Sequence, residues 1–225
     1  MDRKKFLRKG LVGLGAIVAV PTIAACDPEN VDPAGDCALS PAETAGPFPI
    51  KTPADLAREN IISDRQGVPL LINLTIQDQS NGCAPLSGVF VDVWHCDAAG
   101  HYSQYGGTGM QQVDYTDRNF LRGRQTTNAS GQVSFISIFP GWYPGRAPHI
   151  HLEVLDSNEN SIRVTQIAFE QAVCDTVYAT ASYQGTADTQ NNRDNIFSDS
   201  EAGNLADSVT GNTADGYTLE KIIIV

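Results

Sequence analysis

The feature that most narrows the fold is a series of short runs that alternate in character every second residue, with almost no helical period between them. Residues 69–77, "PLLINLTIQ", alternate and are rich in branched side chains. Residues 88–95, "GVFVDVWH", place Val89, Val91 and Val93 on one face of an extended chain and Phe90, Asp92 and Trp94 on the other. The reason is that successive strand side chains point to opposite faces. Residues 132–138, "QVSFISI", follow the turn-forming stretch Asn128-Ala129-Ser130-Gly131, and residues 149–155, 162–169 and 217–225 read the same way. Short strands divided by Gly, Pro and Asn turns predict an all-β sandwich of mostly antiparallel strands, with long loops and one or two short helices. Thr52-Pro53-Ala54-Asp55-Leu56 carries the cap and first-turn signals of one such helix. The polar, weakly patterned residues 175–215 read as long loops with a short helix.

The first 25 residues read as an address. Arg3, Lys4, Lys5, Arg8 and Lys9 precede an apolar run from Leu11 to Ala25. That is the pattern of a secretory signal, too short and wrongly flanked for a spanning helix. It ends Ile23-Ala24-Ala25-Cys26, which resembles a bacterial lipobox and makes Cys26 the expected lipidation site. The basic start also resembles a twin-arginine export signal with Lys in place of the second Arg. Residues 26–36 read as a flexible tether, and 37–225 as the folded domain. The expected location is the cell envelope, with the protein anchored to a membrane through Cys26. Without the leader, 10 basic residues face 25 acidic ones, a net charge near −15. Such a chain has little with which to track phosphates, so nucleic acid is not an expected partner. An oligomer is compatible with the sequence. Cys37, Cys83, Cys96 and Cys174, an even number in an exported chain, predict two disulfides with three possible pairings. No C-x-x-C spacing favours a Cys-rich metal site.

Residues 141–151, "GWYPGRAPHIH", hold two of the four histidines. In an extended strand His149 and His151 share a face, with Ile150 on the other. A His-x-His pair delivers two imidazoles to one point, which suits a metal. Two imidazoles are too few to hold one tightly. The further candidates are His95, His101, Glu153, Asp156 and the phenols of Tyr102, Tyr105, Tyr115 and Tyr143. A phenol titrates near pH 10 in water, and a hard trivalent cation can strip its proton. Two imidazoles with two phenolates would favour ferric iron over zinc or magnesium.

The blocks "GVFVDVWHCDAAGHYSQY", "FLRGRQTTNASGQVSFISIFPGWYPGRAPHIHLEV" and "VTQIAFE" resemble the intradiol ring-cleavage dioxygenases, the protocatechuate 3,4-dioxygenase and catechol 1,2-dioxygenase family. "CALSPAETAGPFPI" and "NIFSDS" resemble its exported, single-domain members. The resemblance implies non-haem Fe(III) held by Tyr102, Tyr143, His149, His151 and a solvent ligand. It implies active-site roles for Arg146 and Gln166, and for Tyr143 as a displaceable ligand that becomes a base. The reaction implied is cleavage of a catechol by O2, between its hydroxyl-bearing carbons, to a cis,cis-muconate-type diacid. Gly46, Pro47 and Phe48 match a pocket-lining motif in which the family often has Tyr at the third position. The segment between Tyr143 and His149 is shorter than in the protocatechuate enzymes. The long helical N-terminal region of the catechol 1,2-dioxygenases, and with it their helical dimer interface, is not expected here. Two other readings compete. A cupin-type metalloenzyme would need a further His downstream of the pair, and none follows His151. A surface ligand-binding sandwich would leave the site unused.

Overall fold

A computed structural model describes residues 37–107 and 109–225. The expected leader at 1–25, Cys26 and the tether at 26–36 lie outside the described residues. In chain order the strands are β1 (Pro69–Asp78), β2 (Ala84–Pro85), β3 (Phe90–Trp94), β4 (Arg122–Thr126), β5 (Gln132–Ile138), β6 (His149–Leu155), β7 (Ser161–Ala168), β8 (Ser208–Asn212) and β9 (Gly216–Ile224). The α-helices among the described residues are α1 (Gln171–Tyr178) and α2 (Glu201–Asn204). The short helix expected near residue 53 is a 3-10 turn, Pro53–Leu56, with Pro in its first turn.

Two sheets form the sandwich. One runs β2-β1-β9-β8 with β5 also paired to β1, and the other runs β4-β3-β6-β7. The second is antiparallel throughout, whereas β1 and β9 pair in parallel. The period-two pattern of β1 does what it predicts: Leu70, Ile72, Leu74 and Ile76 are all buried. They share one core cluster with Val91 and Val93 of β3, Ile150, Leu152 and Val154 of β6, and Ile167 of β7.

The four-stranded sheet is also buried on its other face. In β3, residues 91–94 are all buried, polar Asp92 among them. A single cross-strand row, Arg122–Trp94–His151–Gln166, crosses the sheet on that second face, with each member 1% exposed or less. One end of the cover is the segment before β1: Glu43 N donates to Val164 O at 2.9 Å, and Phe48 O accepts from Arg122 Nη1 at 2.9 Å. This double burial hides β4 from a reading by alternation. Its polar sequence, "RGRQT", gives no apolar face, yet Arg122 and Arg124 are buried because each has partners. Arg124 grips Asp92 through Nε and Nη2, at 2.6 and 2.8 Å. In the stretch expected to be loops, β8 forms by antiparallel pairing with β9.

The two-disulfide expectation is corrected. Cys37 and Cys83 are disulfide-bonded, but Cys96 and Cys174 are free and buried. Cys96 packs with Phe48, Trp94, Tyr102 and Tyr143, whereas Cys174 sits on α1 in the sandwich core. Each fills space as a small apolar group, and burial pushes both thiols up.

The Asp92–Arg124 pair gives the second face a measurable weakness. Arg124→Met should lower the unfolding free energy by about 3–5 kcal/mol, because it strands a buried carboxylate. The double variant Asp92→Leu/Arg124→Met should recover most of that loss. Urea unfolding of the three proteins tests this; equal losses in the single and double variants would rule out a charge-burial origin.

Candidate active site

Each chemistry-bearing side chain is placed by an identifiable element. His149 and His151 stand two apart on β6, and Gln166 lies beside His151 on β7. Tyr102 follows the turn after β3, while Tyr143 and Arg146 lie in the loop that enters β6. The distances then converge. His149 Nε2 is 3.1 Å from His151 Nε2 and 3.4 Å from both Tyr102 Oη and Tyr143 Oη. Aromatic contacts fix the ring planes. Trp94 stacks on His151 at 5.0 Å and 4°, and Phe48 stacks on Tyr102 at 4.7 Å and 24°.

The hydrogen bonds set the tautomers. His149 Nδ1 lies 2.6 Å from Ala147 O, an acceptor, so Nδ1 carries the proton and Nε2 presents a lone pair to the cluster. His151 Nδ1 is buried with no hydrogen-bond partner among the described residues. The Thr44 carbonyl favours its protonation but lies outside hydrogen-bond geometry. Burial pushes His149 down to about 3 and His151 well below its usual value, with the Arg146 charge adding to both. Both rings are therefore neutral at ordinary pH. Burial also raises both phenols, Tyr102 well above the usual range. Two facing imidazole nitrogens and two phenol oxygens around one point are a donor set with no cation of its own. That chemistry fits a hard, highly charged metal ion. Among the described residues no group of three or more His, Cys, Asp or Glu gathers; the remaining oxygen donors beside the two imidazoles are the two phenols.

Arg146 sits at the edge of the cluster, tied on two sides. Its Nε donates to Asp194 Oδ2 at 2.8 Å and its Nη2 to Gln166 Oε1 at 2.6 Å. Gln166 Nε2 in turn donates to Thr44 O at 2.7 Å. Arg146 Nη1 is left directed at Tyr143 Oη and His149 Nε2, 3.5 Å from each. Asp194 is the residue that sequence reasoning missed. It is 0% exposed and accepts from Ala147 N at 2.6 Å and Ile196 N at 2.8 Å as well. One carboxylate thus orients Arg146 and holds the backbone N–H of Ala147, the residue whose carbonyl sets the His149 tautomer. Asp194 stands immediately before the "NIFSDS" block, 48 positions after Arg146, and no local pattern announces a partnership across that gap.

The other candidates fall elsewhere. His95 is buried, its ring nitrogens 2.8 Å from Cys96 O and 2.7 Å from Ser137 Oγ. Tyr105 Oη donates to Pro49 O, Tyr115 packs on Phe120, and Asp156 accepts from the Asn158 and Asn160 amides of its own turn. Glu153 is on the His151 face of β6, one pair further along, opposite Asp92. Of the expected pocket residues, Phe48 lines a cavity that also touches Tyr143 and His101, and Pro47 is exposed. Gly46 adopts φ +69°, and a Cβ there would meet His151 Cε1 at 2.8 Å, so only glycine lets the segment lie on that ring.

Three buried histidines carry a pH consequence. His95 is held at about 4, His149 at about 3 and His151 well below its usual value, each mainly by burial. In the unfolded chain all three titrate near pH 6.5. The unfolded state therefore binds more protons, and stability falls as pH drops below about 6.5. Each histidine contributes up to about 1.4 kcal/mol per pH unit. Urea midpoints of the metal-free protein between pH 7 and 5 read this out; a flat profile would mean that the rings are reachable by solvent protons.

The Dioxygenase_C family (Dioxygenase) matches residues 45–199, more than half of the chain. Over 119 residues the sequence is 33% identical to the protocatechuate 3,4-dioxygenase beta chain of Burkholderia cepacia, covering 47% of this chain and 48% of that one. Over 108 residues it is 32% identical to catechol 1,2-dioxygenase 1 of Acinetobacter lwoffii, covering 47% of this chain and 32% of that one. These matches span about half the length of the first relative and a third of the second. A solved intradiol ring-cleavage dioxygenase from Tetranychus urticae superposes with a TM-score of 0.73 at 30% identity, over 84% of this chain and 94% of that one. The family match displaces the cupin reading, and the chain belongs to the intradiol ring-cleavage dioxygenase family.

Proposed function

We propose that the protein is a non-haem Fe(III) enzyme that opens a catechol-type ring between its two hydroxyl-bearing carbons with O2, giving a cis,cis-muconate-type diacid. The observation that carries this reading is the convergence of Tyr102 Oη, Tyr143 Oη and His151 Nε2 within 3.4 Å of His149 Nε2. Ferric iron, when bound, would ionise the phenols and draw electron density from a bound catechol, so that the ring can react with O2.

The chain's own residues would divide the remaining work. His149 and His151 stay neutral, so they bind without adding charge. Tyr102 is 0% exposed beneath Phe48, which suits it to remain a ligand throughout. Tyr143 lines the cavity, so its Oη can meet an incoming catechol hydroxyl and take its proton. Arg146 Nη1, already directed at Tyr143 Oη, can stabilise negative charge that develops on the substrate. Gln166 holds Arg146 without titrating.

We also propose that the enzyme works in the cell envelope, tethered through a lipidated Cys26. No helix among the described residues is long and apolar enough to cross a membrane. The basic start and apolar run that end at Cys26 support export and anchoring. In a bacterial host Cys26→Ser should move the protein from the detergent phase to the aqueous phase on phase partition. Retention of the variant in the detergent phase would remove the anchor.

The decisive test is the visible spectrum of the iron-loaded protein before and after anaerobic addition of catechol. Phenolate bound to Fe(III) should give a broad charge-transfer band that shifts with catechol and is largely lost in Tyr102→Phe. Tyr143→Phe should lower kcat by about 100-fold or more, the scale of a lost general base. A colourless iron-loaded protein would sink the two-phenol site.

A further inference from the structure

The cavity beside the donor cluster narrows the substrate within the proposed reaction. Its volume is 260 Å³, and Phe48, Gly100, His101, Met110, Tyr143 and Pro144 form most of its wall. Sites for drug-sized ligands run to roughly 300–1,000 Å³, so this space suits a single ring rather than a fused or linked polyphenol. The wall also includes Gln111, whose amide is already used. Its Oε1 accepts from Tyr102 N at 2.7 Å, and its Nε2 donates to Tyr102 O at 2.8 Å and Tyr105 O at 2.9 Å.

Among the described residues, the cations around this space have partners of their own, and the one uncommitted nitrogen, Arg146 Nη1, is directed at Tyr143 Oη and His149 Nε2. Arg146 faces the buried Asp194 carboxylate, Nε to Oδ2 at 2.8 Å. Arg122 is 0% exposed and donates to Ser103 O at 2.7 Å and Phe48 O at 2.9 Å. Lys51 Nζ donates to Gln104 O at 2.7 Å and lies 4.0 Å from the Tyr105 ring centre. A carboxylate carried on the ring would lose its hydration on entry, and among the described residues it would have to draw its positive partner away from these existing contacts. The chain's net charge of −11 opposes its approach as well.

His101 differs from the rest of the wall. Its side chain is 31% exposed, and the nearest charged partner of its ring among the described residues is Asp97, 3.9 Å away. That is too long for a hydrogen bond, so the imidazole has donor and acceptor capacity to offer a ligand.

We propose that the site takes an uncharged, single-ring catechol, and that His101 determines specificity by hydrogen-bonding a polar substituent on that ring. This rests on the catechol-cleaving reading of the site. The structure thereby separates the two substrate types that the relatives' names span, in favour of the one without a carboxylate.

Anaerobic calorimetry on the full-length, iron-loaded protein tests this without using turnover. The probes are 4-methylcatechol, benzene-1,2,4-triol and protocatechuate. The neutral ligands should bind roughly tenfold or more tighter than protocatechuate, as expected for one unpaired buried charge. Met110→Arg, which brings a guanidinium to the wall, should strengthen protocatechuate binding by about fivefold or more. His101→Phe should weaken benzene-1,2,4-triol by about fivefold while leaving 4-methylcatechol within about twofold, the scale of one hydrogen bond. Protocatechuate binding as tightly as 4-methylcatechol would overturn the charge argument, as would no gain in Met110→Arg. Equal losses for both neutral ligands in His101→Phe would overturn the role of His101. Tight binding of 4-methylcatechol without O2 uptake on aeration would uphold this inference and remove the proposed reaction. Failure of all three probes to bind would remove both.

Discussion

A sheet buried on both faces must satisfy every polar group on its second face, and that demand organises the site. The row Arg122–Trp94–His151–Gln166 crosses four strands beneath covering loops. A buried polar group without a partner costs about 1–3 kcal/mol, so the loops cannot lie there as passive cover. They supply acceptors: Phe48 O and Ser103 O for Arg122, and Thr44 O for Gln166. The Ser103 loop carries Tyr102, and the loop into β6 carries Tyr143 and Arg146, whose Nη2 donates to Gln166 Oε1. Meeting the hydrogen-bond needs of the sheet therefore sets where the phenols and the guanidinium stand relative to the imidazoles.

This arrangement also explains what the sequence disclosed and what it hid. Strands buried on one face, such as β1, showed themselves through alternation, and β5 and β6 begin and end where that pattern does. The pair on β6 was legible because two residues of separation on a strand is a local fact. So was the approach of Tyr143, six positions before His149 across a Pro-Gly turn. Strand β4 was not legible, since its burial depends on partners such as Asp92 and Ser103 that lie about 20–30 residues away and come together only in the fold. Asp194 was hidden for the same reason. Cys96 and Cys174 misled because cysteine count and export say nothing about which thiols face each other. Here one packs among aromatics and the other in the main core, and neither is bridged.

The electrostatics form a connected system. Burial keeps His149 and His151 neutral and raises both phenols, so the metal-free cluster is close to uncharged. Arg146 is a permanent charge directed at it, and Asp194 binds the Nε side of that guanidinium. Without that carboxylate, a guanidinium 3.5 Å from His149 Nε2 would repel any cation seated among the donors. With it, Arg146 can stand next to a metal ion and still direct Nη1 toward the oxygen of Tyr143. Two phenolates forming around a trivalent ion would leave a net charge near +1, and a doubly ionised catechol that returns one proton to Tyr143 would bring it to about zero. A substrate bearing a further carboxylate would then carry its extra charge into a cavity whose nearest cations already have partners. The balance that lets Arg146 coexist with a metal ion is thus the same one that turns the pocket toward neutral ligands.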